Sequence, residues 1–335
     1  MSRAIERAWE RDGAAARALA PLSWFFGALV AMRNGAYEAG LARRHSLGLP
    51  TVSVGNLTVG GTGKTPVSAW FAAEMTRRGE RPAILLRGYG DDEPLVHARL
   101  TPGVIVVADA DRVRGAARAR EQGATVLVLD DGFQHRRARR DLDVVLVAAE
   151  QGRAHRLLPA GPLRESRGAL RRAQLLIVTR KTASLGAAET VAADWGGGLP
   201  TAILHLAPGA LHRWTVDGAA PLLDLTALAG RRVLAFSALG APAAFEGQLA
   251  AAGAVVESAA YPDHHPFSGE EIAGLANRAA TMDYAVCTLK DAVKVGPRWP
   301  RNAPPFWYLS QAVNVERGER ILADRLDHLT TDVSP

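Results

Sequence analysis

Short, mostly apolar runs punctuate the chain at residues 52–54, 83–86, 104–107, 126–129 and 144–147, and again at 175–178, 202–206, 233–236, 255–258 and 285–288. Strands that are apolar on both sides are those covered on both faces, so these runs, with helical stretches between them, predict parallel sheets under packed helices. Two such sets in 335 residues predict two α/β domains, because one core rarely holds so long a chain. The stretch 151–167, with Pro159, Gly161 and Pro162, has neither period and reads as a linker or substrate loop. The expected division is therefore a first domain at 39–152 and a second, smaller one at 153–313. Residues 243–252 predict a helix closed by Gly253, and Ser268 with Glu271 has capping-box spacing before another. A last amphipathic helix at 318–330 is expected to pack back on the first domain.

Residues 1–38 follow a different pattern. An Arg/Glu/Ala start gives way to an apolar run at 18–32 that contains Trp24, Phe25 and Phe26, is interrupted by Pro21, Ser23 and Gly27, and is flanked by Arg17 and Arg33. Crossing a bilayer takes about 20 apolar residues, and a secretory signal carries no acidic first segment. An interfacial helix on an anionic leaflet and a core helix both fit, the first being favoured by aromatic residues between arginines.

The candidate chemistry begins at the first strand. After Val52 and Val54 come Gly60, Gly61 and Gly63, then Lys64 and Thr65, then Pro66 opening a helix that stops at Gly79. This is a phosphate-binding loop: glycines let backbone N–H groups turn toward phosphate oxygens, lysine adds a point charge, and the threonine hydroxyl suits a Mg²⁺ shell. The helix N-terminus then faces the anion. Thr58, Val59, Gly60, Gly61, Thr62, Gly63, Lys64 and Thr65 are the expected nucleotide-binding residues, although Thr58 stands where the usual pattern has Gly. The run VLVLDDG ends a strand in Asp130 and Asp131, the acidic partners expected beside Thr65 in the Mg²⁺ shell, Asp130 foremost.

Composition alters this little. The apolar fraction of 48% is ordinary, and the single cysteine, Cys287, permits no internal disulfide and fits a reducing compartment. A net charge of +6 admits nucleic acid, anionic lipid or a phosphorylated ligand, but no nucleic-acid module or aromatic-basic interleaving accompanies it. Only four residues are lysine, Lys64, Lys181, Lys290 and Lys294, in a chain that otherwise uses arginine. A retained lysine hints at a need for a compact ammonium.

The string GNLTVGGTGKTP at 55–66 closely resembles the tetraacyldisaccharide 4'-kinase family. RGYG at 87–90, DEP at 92–94, DDGFQH at 130–135, PAGPLRE at 159–165, PDHHPF at 262–267 and KDAVK at 290–294 match in the same order, across nearly the whole chain. The resemblance implies an ATP- and Mg²⁺-dependent kinase acting on an acylated disaccharide lipid at the cytoplasmic face of the bacterial inner membrane, peripheral or monotopic, with no nucleic acid and no obligate protein partner. It implies Asp92 as the catalytic carboxylate, in the loop after RGYG, with Asp91 the neighbouring alternative because Gly is expected there. It also implies an active-site role for Glu165, which a surface ion pair would equally explain. His264 is implied to support Asp92 from the opposite domain once that domain closes on substrate. The adjacent His264 and His265 lack clear further ligands for a metal, and the chemistry of Lys290 and Lys294 stays open. The contrasting reading is a membrane-associated switch ATPase or GTPase acting on a protein partner.

Overall fold

The computed structural model describes residues 14–88, 92–151, 156–216, 221–240 and 242–331. Two compact units emerge, one of Ser2–Leu206 with Val313–Pro335, the other of Ala207–Ala312.

In the larger unit β1 (Thr51–Asn56) lies between β4 (Val126–Asp130) and β5 (Leu142–Ala148), every residue of all three buried. Beyond β4 come β2 (Pro82–Leu86) and β3 (Ile105–Ala108); beyond β5 come β6 (Leu175–Arg180) and β7 (Thr201–Arg213). All these pairs are parallel. On one face α3 (Lys64–Arg77) sets Val67, Phe71 and Met75 against Val52, Val54 and Val128; Leu322, Leu326 and Leu329 of the last helix, α10 (Glu319–Thr331), complete that core. On the other face lie α5 (Arg112–Glu121), with Ala116 and Ala119 in one cluster, and α6 (Leu185–Gly196), with Ala188 and Trp195 in another.

The smaller unit carries the two-residue β8 (Leu222–Leu223), antiparallel to the outer end of β7, and β9 (Arg232–Ser237) between β10 (Val255–Ala260) and β11 (Tyr284–Thr288), with β12 (Trp307–Arg317) beyond β11, these last pairs all parallel. Phe245 and Leu249 of α7 (Pro242–Ala251) pack on Val233 and Ala235. The Ser268 and Glu271 capping box forms as its spacing predicts and starts α8 (Gly269–Ala279). Between β11 and β12 runs α9 (Leu289–Val295).

The unit boundary falls after 206, not after 152. β6 pairs with β5 from Val144↔Leu175 onward, and Trp195 of α6 packs with Val145 and Val147, so this segment extends the first sheet. The chain passes between units inside β7 and inside β12. Neither the outer half of β7 nor β12 shows as an apolar run.

At the N-terminal end of the larger unit, α1 (Ala14–Ala18) precedes α2 (Ala20–Glu38). A polar and small face docks α2. Ser23 donates to the Leu157 carbonyl and accepts from the Ala160 N–H, Gly27 lies against Leu157, and Asn34 reaches Glu165. Arg33 donates to the Gln134 carbonyl. The apolar residues instead face outward: Trp24 is 75% exposed, Met32 69% and Phe25 65%, with Leu22 and Leu29 beside them.

Candidate active site

The loop between β1 and α3 is shaped by two glycines. Gly60 has φ +113° and Gly63 φ +83°, backbone that other residues rarely adopt, and a Cβ on Gly63 would collide with a Leu206 methyl. Thr58 has no such φ, which removes the need for glycine there. It is instead a fixing point, donating to Gln151 Oε1 at 2.7 Å, while the Val59 N–H donates to the Pro162 carbonyl. Asn56 Nδ2 donates to Thr62 Oγ1, Thr179 Oγ1 donates to the Thr62 carbonyl at 2.9 Å, and Lys181 Nζ lies 3.4 Å from the Gly61 carbonyl. The loop is thus held from outside, the N–H groups of Val59 and Thr62 are committed to Pro162 and Gly60, and the loop runs into the N-terminus of α3, the end of a helix that receives a phosphate.

Lys64 and Thr65 begin α3. Lys64 Nζ stands 3.4 Å from Asn56 Oδ1 and 3.8 Å from Asp131, and Thr65 Oγ1 stands 3.4 Å from Asp130 Oδ2. Burial pushes the Asp130 carboxyl up, but the hydrogen bond from His97, with the Lys64 charge and the Ser68 hydroxyl, outweighs it and holds the group below its ordinary value. An ionised carboxylate oxygen beside a hydroxyl at the phosphate loop is a hard-oxygen donor set, and it fits Mg²⁺. Asp131, at φ +55°, is engaged differently: both its oxygens accept from Arg164, at 2.9 and 3.0 Å.

Asp92 does not lie in a loop. It opens α4 (Asp92–Leu100) and is half-buried. Acidic residues suit the positive end of a helix, and Pro94 in its first turn lacks an N–H that would have no intrahelical partner there. Asp91 and the last two residues of RGYG lie outside the described residues. Five positions on from Asp92, the same helix brings buried His97 to Asp130, Nε2 to Oδ2 at 2.8 Å.

Glu165 is buried, with its carboxylate taken by Arg172 (2.8 and 3.1 Å) and by Asn34 of α2 (2.7 Å), while Arg172 also lies over the Phe133 ring. The ion pair is internal, joining α2 and the 157–165 loop to the 3₁₀ turn Arg167–Arg172. Burial raises the Glu165 carboxyl, yet the Arg172 hydrogen bonds and charge, with Asn34, prevail and lower it beneath 4.5. Its contribution to stability is therefore complete above pH 4.5 and is lost as pH falls through the lower folded value. Glu165→Ala, which strands Arg172, is expected to cost about 3–5 kcal/mol in urea unfolding at neutral pH. The difference from the unsubstituted protein should narrow below pH 4.5; a constant difference there would show that the ion pair is not its source.

In the smaller unit His264 sits at φ +61° with Lys290 Nζ 3.2 Å from its ring nitrogens, and the His265 carbonyl is 3.4 Å from Lys294 Nζ. His265 Nε2 meets both Glu271 oxygens at 2.9 Å and its ring stacks on Tyr261. That pairing gives the second histidine a local role at the start of α8.

Sequence reasoning missed Ser68, His97, Gln151, Lys181 and Arg172 as supports of these groups. Among the supports, Asn56, polar at the end of an apolar strand, and Lys181, one of four retained lysines, carried a visible signal.

The family model for tetraacyldisaccharide-1-P 4'-kinase, LpxK, matches residues 15–92 and 90–330. A tetraacyldisaccharide 4'-kinase of Anaeromyxobacter sp. (strain Fw109-5) is 40% identical, over 96% of this chain and 95% of its own length. One of Geobacter metallireducens is 38% identical, over 83% and 88% respectively. The crystal structure of LpxK from Aquifex aeolicus in complex with ATP superposes with a TM-score of 0.76 at 30% identity, covering 94% of this chain and 99% of that one. A phosphate loop of this geometry, continuous matching from the N-terminal helix to the last, and shared architecture place the chain in the tetraacyldisaccharide 4'-kinase family.

Proposed function

We propose that this kinase transfers the γ-phosphoryl group of ATP to the 4'-hydroxyl of a tetraacylated glucosamine disaccharide 1-phosphate, a step of lipid A biosynthesis. The observation that carries this reading is the pairing of Thr65 with Asp130 at the N-terminus of α3, beneath the loop that Gly60 and Gly63 shape. Within 58–65, the backbone N–H groups of Gly60, Gly61 and residues 63–65 and the Lys64 ammonium hold the phosphates, while Thr58, Val59 and Thr62 fix the loop, the Val59 N–H being given to Pro162 and that of Thr62 to Gly60; Thr65 and Asp130 would hold Mg²⁺, with Asp131 beside them. Mg²⁺, when bound there, would supply neutralisation of the phosphate charge. Asp92 accepts the proton of the acceptor hydroxyl, and His264 is assigned the sharing of that proton. Glu165 acts through Arg172 and Asn34 as a positioning group. Purified protein given labelled ATP, Mg²⁺ and the detergent-solubilised disaccharide is expected to place label on the lipid. Label found only as free phosphate would support the switch ATPase instead, a reading the family relationship disfavours.

We further propose that α2 holds the enzyme against an anionic leaflet at the cytoplasmic face of the inner membrane. Among the described residues no helix is long and apolar enough to cross a membrane. The outward face of α2, docked by its polar residues, supports binding from one side. Each large side chain buried in the interface contributes at most about 1.5–3 kcal/mol. Arg17 is exposed for headgroup contact, whereas Arg33 is committed to Gln134. The triple substitution Trp24→Ser, Phe25→Ser and Met32→Ser is expected to abolish cosedimentation with anionic phospholipid vesicles while preserving activity on detergent-dispersed substrate. Undiminished vesicle binding would remove α2 as the anchor.

A further inference from the structure

His97 does not belong to any motif that identifies the family, yet it is fully buried on α4 with its Nε2 2.8 Å from Asp130 Oδ2. An ionised Asp130 can only accept, so Nε2 carries the proton and Nδ1 is left as an acceptor, for which no partner exists among the described residues. A buried nitrogen without a partner is a cost that leucine or methionine would avoid. The compensating feature is the N–H directed at Asp130. Ser68 of α3 donates to the other oxygen, Oδ1, at 3.2 Å, and Arg112 donates to the Asp130 backbone carbonyl at 3.3 Å. The carboxylate is therefore gripped at each oxygen by a side chain from a different helix, with the Thr65 hydroxyl 3.4 Å from the oxygen His97 holds.

We propose that His97 is a positioning residue: its N–H fixes the rotation of the Asp130 carboxylate so that a lone pair of Oδ2 stays directed to the metal side of the phosphate loop, and it ties that carboxylate to the helix opened by Asp92. Oδ2 has two lone pairs, and the imidazole takes one. The bond sets the direction of the other without supplying a ligand itself. This rests on Asp130 being the metal-side carboxylate.

Methionine and glutamine at position 97 are similar in size and differ in the presence of a donor. The full-length protein, saturated with a non-hydrolysable ATP analogue, is titrated with Mn²⁺, and retained ion is read from the loss of the free-ion paramagnetic resonance signal, against nucleotide alone. Partners that orient a metal ligand typically change affinity 10–100-fold, so His97→Met is expected to weaken retention about tenfold or more and His97→Gln by no more than about threefold. Binding of the nucleotide without divalent ion should be unchanged in both. Equal loss in the two variants, or wild-type retention by a folded His97→Met, overturns the proposal; His97→Leu takes the place of the methionine variant should that one fail to melt cooperatively. Asp130→Asn separates the layers. If it abolishes retention while His97→Met does not, only the positioning role fails; if it retains Mn²⁺ normally, the reading of Asp130 fails first.

Discussion

Asp92→Asn is expected to lower kcat by about 10²–10⁴-fold, the range spanned by a positioned general base, while leaving the affinity for ATP nearly unchanged. The amide has the size of the carboxylate and can occupy the same first position of α4, where Glu93 continues to complement the helix terminus. What disappears is the capacity to take a proton from the acceptor hydroxyl as its bond to phosphorus forms. Steady-state turnover on the disaccharide, paired with direct nucleotide binding, distinguishes the possibilities. A fall in ATP affinity with unchanged kcat would make Asp92 a nucleotide contact. A larger loss in Asp91→Asn would move the role one residue back.

Lys64→Ala is expected to reduce phosphoryl transfer by at least about 10²–10³-fold, the effect of deleting one preorganised group at a developing charge, and to weaken nucleotide binding as well. Its ammonium lies between Asn56 and Asp131, and the Asp131 side chain is 39% exposed, so the pair adds only about 0–1 kcal/mol to stability and the fold should survive. Lys64→Arg is expected to rescue little, because a planar fork does not reproduce a compact point charge beside a loop fixed on several sides. Turnover and thermal melting together check this. Full activity in the alanine variant would remove the phosphate loop from the mechanism, and a collapse in melting temperature would show that the charge is structural.

The ten strands legible from sequence are those with apolar runs; in β1, β2, β4 and β5 burial on both faces leaves no room for alternation, whereas β3 and β10 keep exposed positions and were legible only by their Val and Ile content. β12 escaped because Ser310, Gln311, Asn314 and Glu316 break its apolar run, none of the four being buried, and the outer half of β7 because Pro208 and Gly209 imitate a break. The phosphate loop was legible because its glycines and Lys64 must be contiguous to fold around an anion. Its supports were not. Thr58 replaces a glycine by gaining Gln151, a residue 93 positions away, and Glu165 meets Asn34 across 131 positions. His97 offered no periodicity to separate it from a polar residue on a helix surface. Such pairings arise from the topology of the sheet, which brings strand ends together irrespective of their order in the chain.

The placement of Leu322, Leu326 and Leu329 in the core beside Val52 and Phe71 bears on how the protein is made. Residues 207–312 form a contiguous unit and leave the ribosome whole before the nucleotide-holding unit can be completed. Folding during synthesis generally proceeds from the N-terminus; here the order is reversed, and the earliest strands must wait for the final helix to emerge. A ribosome that stops within α10 therefore releases a chain whose smaller unit is intact and whose catalytic sheet presents an open apolar face, a product suited to proteolysis and not to partial activity.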